Sequence, residues 1–387
     1  MASACGSEPG VREGFGGARW RDQRVRPQRP SSNKELLLSA LSVRAARWRS
    51  LAYAKVPQQN SETLGGGLSR VGAMKPNIVG VPLQPADLER SISVLEEAIA
   101  DLRRWGLRVP ELGRLQAHLK TLRGVQDAGE FPLDSGRRTV VAHALRDASD
   151  FAAIAIALEP ARMEAIATEL ARTMGGTPHQ SERGREAYQF QSQFFCGAVM
   201  SAAGVYLRAS TGAGPYPDFV VDNGTLRHGI EVKRPESSRG VERGLRSAAT
   251  QLAAVDGGMV VMDLSDGLQS DLVLPVQKGE GFHAWHSETD SRFRASVRTV
   301  TELVGRRAFS NATHVLSVGF FARGWLWHEV GPSGGPALPE FFGRFYVETL
   351  AQPAGTLMWH RGEFLCGTFE LGLQNLMPRV HQVRADW

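Results

Sequence analysis

Apolar residues recur at three- and four-residue spacing through residues 85–174, the repeat of amphipathic helices. In Asp87–Trp105 the positions are Leu88, Ile92, Leu95, Ile99 and Leu102, and Gly106 stops the run. Leu112–Leu122, Thr139–Leu158 and Pro160–Thr173 predict three more helices, and Gly175-Gly176 closes the series. This helical subdomain carries no catalytic spacing; it is a scaffold, or an arm that positions substrate or dimerises. A longer helix is predicted over Ser181–Ala203, with Phe190, Phe194, Phe195, Val199 and Met200 on its apolar face and Gly204 at its end.

After Gly204 the period changes to two. Val205–Arg208 reads as a short strand, the Gly- and Pro-rich Ser210–Pro217 as a loop, and Tyr216–Lys233 as two apolar runs about Asn223-Gly224. A loop over 234–240 and a helix over Val241–Val255 follow, then Gly258–Leu264, an unbroken apolar run suited to a strand buried on both faces. Residues 267–290 read as polar loop and Ser291–Arg306 as a helix. His314–Ala322 and Trp325–Val330 are expected to pair through Arg323-Gly324, with Phe341–Thr349, Gly355–Trp359 and Phe364–Leu371 as short final elements. The aromatics Phe320, Phe321, Trp325, Trp327, Phe345 and Trp359 are expected in the core rather than as a base-stacking platform. The pattern as a whole gives an α/β domain over 180–387, preceded by the helical 85–174.

Composition narrows the class. With 387 residues, 42% apolar and 22% charged, the chain can bury a sizeable core in one large or two smaller domains. No uninterrupted apolar run of membrane-spanning length occurs, so no span is expected. Cys5, Cys196 and Cys366 are far apart, giving neither a zinc site nor a disulfide framework, and a reducing, cytoplasmic setting is expected. His228 and the other histidines read for metal spacing, among them His179, His283 and His286, show none. No P-loop is present.

The net charge of +5 suggests nucleic acid until it is partitioned. Residues 1–75 hold 13 basic and five acidic side chains, or +8; the remaining 312 hold 32 and 35, or −3. The basic surplus therefore belongs to the first segment, and only a local patch could bind DNA. Residues 1–73, rich in Gly, Arg, Ser and Pro with one helix-like patch at Lys34–Ala54, are expected to be largely disordered. They read as a phosphate-contacting arm, as a targeting extension (against which Glu8, Glu13 and Asp22 argue), or as sequence ahead of a true start at Met74, the reading favoured here.

Asn-Gly between alternating apolar runs is a strong hairpin signal, since both central positions of the favoured turn need φ > 0. A two-residue loop at Asn223-Gly224 pairs Asp222 with Thr225, Val220 with Arg227 and Asp218 with Gly229. Side chains alternate faces, so Asp218, Glu231 and Lys233 share one face, with Asp218 and Glu231 as diagonal neighbours ~7–8 Å apart at the backbone. Phe219, Val221, Ile230 and Val232 form the opposite, core-facing stripe. His228 has the opposite parity and should point away.

Pro217-Asp218 and Glu231-Val232-Lys233 in this arrangement resemble the active site of the PD-(D/E)XK nuclease superfamily, over about residues 181–265. The resemblance implies a restriction-endonuclease-like mixed sheet core with flanking helices, in the order helix, three strands, helix, strand. It implies that Asp218 and Glu231, with the Val232 carbonyl as a third ligand, hold Mg²⁺ or Mn²⁺, and that Lys233 orients the attacking water. An acid on the preceding helix sometimes completes such a site; Glu186 is the candidate, Glu182 a weaker one, with Gln189 and Gln193 as polar liners. Helix arginines Arg239, Arg243 and Arg246 are candidates for phosphate contact, or an ordinary solvated flank. Gln251 occupies a position where some exonuclease-like branches carry a helical Gln, but Val255 replaces their Tyr four residues on. The implied function is metal-dependent hydrolysis of nucleic acid, most simply as a DNA endonuclease with a homodimer among the expectations. The rival is a catalytically silent nuclease-fold module that binds DNA or a protein.

Overall fold

Helix α1 (Leu88–Arg104) begins where the Asp87 side chain accepts from the Arg90 backbone N–H at 2.9 Å, satisfying a donor the helix itself leaves unpaired. Asp134 does the same for α3 (Ser135–Ala157), accepting from the Arg137 N–H at 2.8 Å. Between them lies α2 (Arg114–Ala128), and after them come α4 (Ala167–Thr173) and α5 (Arg185–Ala202). The computed structural model describes residues 78–80, 87–158, 167–175, 185–210, 215–222, 226–235, 238–265, 273–274, 314–329, 337–350 and 354–381. Readings that fall on the N-terminal 1–73, on Glu182, on Asn223–Thr225 and on the helix expected over Ser291–Arg306 lie outside those residues.

Among the described residues, eight strands form one mixed sheet: β1 (Ile78–Gly80), β2 (Leu207–Ala209), β3 (Phe219–Asp222), β4 (Arg227–Lys233), β5 (Gly258–Asp263), β6 (Val273–Leu274), β7 (Val315–Glu329) and β8 (Ala337–Thr349). The order is β1-β8-β7-β5-β4-β3-β2, with β6 on β7. β2, β3 and β4 form an antiparallel meander, and β5 runs parallel to both β4 and β7. The crossover from β4 to β5 is α6 (Ser238–Leu252), and the described chain closes with α7 (Leu357–His381).

Two cores result from the alternation of strand side chains. Phe219, Val221, Ile230, Val232, Met259 and Val261 join α1, α2, α3, α5 and α7 on one face. Val260, Met262, Val318 and Phe320 meet Val241, Leu245, Ala248 and Leu252 of α6 on the other. The helices of 87–175 do not stand apart as a subdomain: α3 packs against α5, α7 and β7 within the same compact unit.

Several elements differ from expectation. His314–Ala322 and Trp325–Val330 are one strand, β7, which runs straight through Arg323-Gly324 and pairs with β8 along its length. The short final elements expected over Gly355–Trp359 and Phe364–Leu371 are one helix, α7. The second helix starts at Arg114 rather than Leu112, and α6 starts at Ser238 rather than Val241, which moves Arg239 from loop to first turn. Of the six aromatics, Phe320, Phe321, Trp325, Trp327 and Phe345 are buried as expected, and Trp359 is half-buried. Among the described residues no helix is long and apolar enough to cross a membrane.

Candidate functional site

β3 and β4 pair two residues further along than the Asn-Gly turn predicted: Asp222 lies opposite Arg227, Val220 opposite Gly229 and Phe219 opposite Ile230. A shift of two preserves parity, so Asp218, Glu231 and Lys233 still share one face. It places Asp218 directly across from Glu231 rather than diagonally. Asp218 itself lies just before the strand, behind Pro217, which has no N–H to offer a ladder. Side chains continue the pairing there. The Asp218 N–H donates to Glu231 Oε2 at 3.0 Å, and Asp218 Oδ2 accepts from the Val232 N–H at 2.8 Å.

The remaining oxygens of the pair face other elements. Asp218 Oδ1 accepts from Gln193 Nε2 of α5 at 2.9 Å. Glu231 Oε1 accepts from Lys233 Nζ, which also donates to Gln251 Oε1 of α6 at 3.0 Å. Gln251 in turn donates through Nε2 to the Tyr216 carbonyl at 3.0 Å, tying α6 to the segment that carries Asp218. Gln189 Nε2 donates to the Val232 carbonyl at 2.9 Å. Gly229 permits this closeness: a Cβ there would lie 2.5 Å from Leu252 Cδ2 and 2.8 Å from Pro217 Cγ.

Burial shapes the electrostatics. Glu231 is 1% exposed, and the Lys233 side chain 22%. Burial, then the neighbouring Glu231 charge, push the Asp218 carboxyl up to about 8 against the pull of Lys233. Burial also raises Glu231, with Lys233 opposing. Two carboxylates thus share one ammonium in a low-dielectric pocket, and they resist being ionised together.

The structure brings Asp218, Glu231, Lys233, the Val232 carbonyl and Gln251 together, with Gln189 and Gln193 as liners. Glu186 is not turned into the group: it is exposed and ion-paired with Arg172 at 2.6 Å. Arg243 and Arg246 are exposed on α6, and Arg246 pairs with Glu242; the Arg239 side chain lies outside the described ones. His228 is buried on the opposite face, as its parity requires. Among the described residues no three or more His, Cys, Asp or Glu side chains are grouped to share a metal ion.

A second polar cluster escaped sequence reasoning. Asp147 and Asp150 of α3, Asp263 at the end of β5 and Arg323 of β7 are all buried. Arg323 grips Asp150 through Nε at 2.7 Å and Nη2 at 2.8 Å, reaches Asp263 at 3.3 Å, and stacks over the Phe195 ring at 3.7 Å. Gln191 of α5 donates to Asp147 at 3.0 Å and to Asp150 at 2.6 Å, while Arg114 lies 3.2 Å from Asp147. Burial raises Asp263, but Arg323 and Arg146 outweigh it and hold the carboxyl low. Charged residues inside apolar runs, at 147, 150 and 323, were the available signal.

No protein-family model, curated protein or solved structure matches the chain.

Proposed function

We propose that the chain is a metal-dependent phosphodiesterase of nucleic acid, a DNA endonuclease of the PD-(D/E)XK type. One observation carries the reading: Asp218 stands directly across from Glu231, whose carboxylate is bonded to Lys233, where the β3–β4 ladder ends. The order α5, β2, β3, β4, α6, β5 supports it as well, matching the helix, three strands, helix, strand of that fold.

The donor set fits a hard divalent cation. Asp218 and Glu231 offer oxygens, as does the Val232 carbonyl, and the pair, Glu231 buried and Asp218 half-buried, has one ammonium to balance it. Mg²⁺ or Mn²⁺ would be held by these residues and, when bound, supplies charge stabilisation at the phosphoryl and leaving 3′ oxygens. Lys233 does the rest of the work available to this chain. Anchored by Glu231 and Gln251, its Nζ is positioned to hold the attacking water or the scissile phosphate. Gln251 fixes that ammonium and the Tyr216 carbonyl together, so it acts as a positioning residue.

Nicking of supercoiled plasmid DNA with Mg²⁺ tests the reading. The Asp218→Ala/Lys233→Ala double variant is expected to lose at least about a hundredfold in rate; cleavage retained at the parental rate overturns the proposal. One observation favours a silent nuclease-fold module instead: Glu186 is turned to Arg172, leaving two carboxylates and, among the described residues, no third acid in the group. Calorimetric titration with Mg²⁺ or Mn²⁺ separates the two, since a silent module takes up no ion through Asp218 and Glu231.

A further inference from the structure

Two glutamines of α5 occupy the side of the site where an acid was expected. Gln189 and Gln193 are four residues apart, so both side chains leave the helix on one face. Gln193 Nε2 is 2.9 Å from Asp218 Oδ1, and Gln189 Nε2 is 2.9 Å from the Val232 carbonyl oxygen. These are two of the oxygens that the cation reading assigns as ligands. Both facing atoms are acceptors, so each amide turns its NH₂ toward them. A terminal amide carries donor and acceptor on one planar group, and half a turn about its last bond exchanges the two.

We infer that Gln193, with Gln189 beside it, forms the neutral arm of the cation site. With a divalent ion held by Asp218 and Glu231, the Gln193 amide presents Oε1 to the ion or to water bound on it, completing the set that Glu186 does not complete. The inference rests on the metal-dependent reading of the carboxylate pair and adds to it the chemistry of the third side. Charge burial gives the reason for an amide. Half-buried Asp218 and buried Glu231 already share a single ammonium, and a third carboxylate would add desolvation and repulsion whenever no ion is bound. Glutamine supplies an oxygen without that charge.

Mn²⁺ titration calorimetry on the full chain tests this with four proteins: the parent, Asp218→Asn, Gln193→Met and Gln193→Glu. The parent binds, Asp218→Asn loses binding, Gln193→Met weakens it by about tenfold or more, and Gln193→Glu binds about tenfold more tightly. A bulk or packing role for Gln193 would be met by the near-isosteric Met and would give no gain with Glu. Parental affinity in Gln193→Met, with binding lost in Asp218→Asn, overturns the amide arm and leaves the carboxylate site standing. Absence of Mn²⁺ binding by the parent overturns both. If Gln193→Met does not fold, Gln193→Glu decides alone, and an affinity equal to or below the parent's overturns the inference.

Discussion

Asp218 closes the end of a ladder and lies half-buried beside a second, buried carboxylate. The first role needs an acceptor, which the ionised form supplies; the second penalises ionisation. Its carboxyl is raised from 3.8 to about 8, so between those values the folded chain holds a proton that the unfolded chain has released. Stability contributed by this group is therefore present below about pH 4 and lost as pH rises toward about 8, and Glu231 shifts in the same direction. In chelator, the thermal midpoint is expected to fall more steeply for the parent than for Asp218→Asn between about pH 5 and 8. Parallel profiles for the two proteins would show that the pair is not coupled as described. Added Mg²⁺ should flatten the parental profile by favouring the ionised pair.

At the scale of the hairpin and its covering helix, close approach matters more than turn chemistry. The Asn-Gly signal predicted the right strands and the right faces, yet the register moved by two, because pairing is chosen by what β2, β5 and α6 pack against and not by the turn alone. Gly229 is the contact on which this packing depends. Adding a methyl there drives Leu252 Cδ2 aside, and it also meets the Pro217 ring, which cannot rotate away. Gly229→Ala is expected to cost about 1–3 kcal/mol in urea denaturation. It should also weaken Mn²⁺ binding, since Pro217 directly precedes Asp218. Glycine misled elsewhere. The last expected element stopped at Leu371, just before Gly372, whereas a Cβ on Gly372 would lie 1.8 Å from the Val199 carbonyl oxygen, so the residue lets α7 cross α5 rather than ending it.

Across the molecule, the buried cluster of Asp147, Asp150, Asp263 and Arg323 clamps the helical layer onto the sheet at the end of β5 and the middle of β7. Arg323→Met leaves Asp150 and Asp263 without their principal partner, and an unfolding loss of about 3–5 kcal/mol is expected from denaturant midpoints. A loss within about 0.5 kcal/mol would mean that Arg146, Gln191, Ser192 and Ser265 satisfy both acids without it. The same cluster explains why β7 was read as two strands. A charge followed by glycine looks like a turn when its counter-ions lie 60 and 173 residues away in sequence. What the sequence by itself determined is what local pattern carries: helices by their 3.6-residue stripe, the hairpin strands by alternation, β5 by its unbroken apolar run, and the shared face of Asp218, Glu231 and Lys233 by parity alone. Only the tertiary structure decided depth and partnership. It buried Glu231 under α6, turned Glu186 to Arg172, and set Gln193 rather than an acid against Asp218. Burial and pairing are properties of packed elements far apart in the chain, and no spacing within one element encodes them.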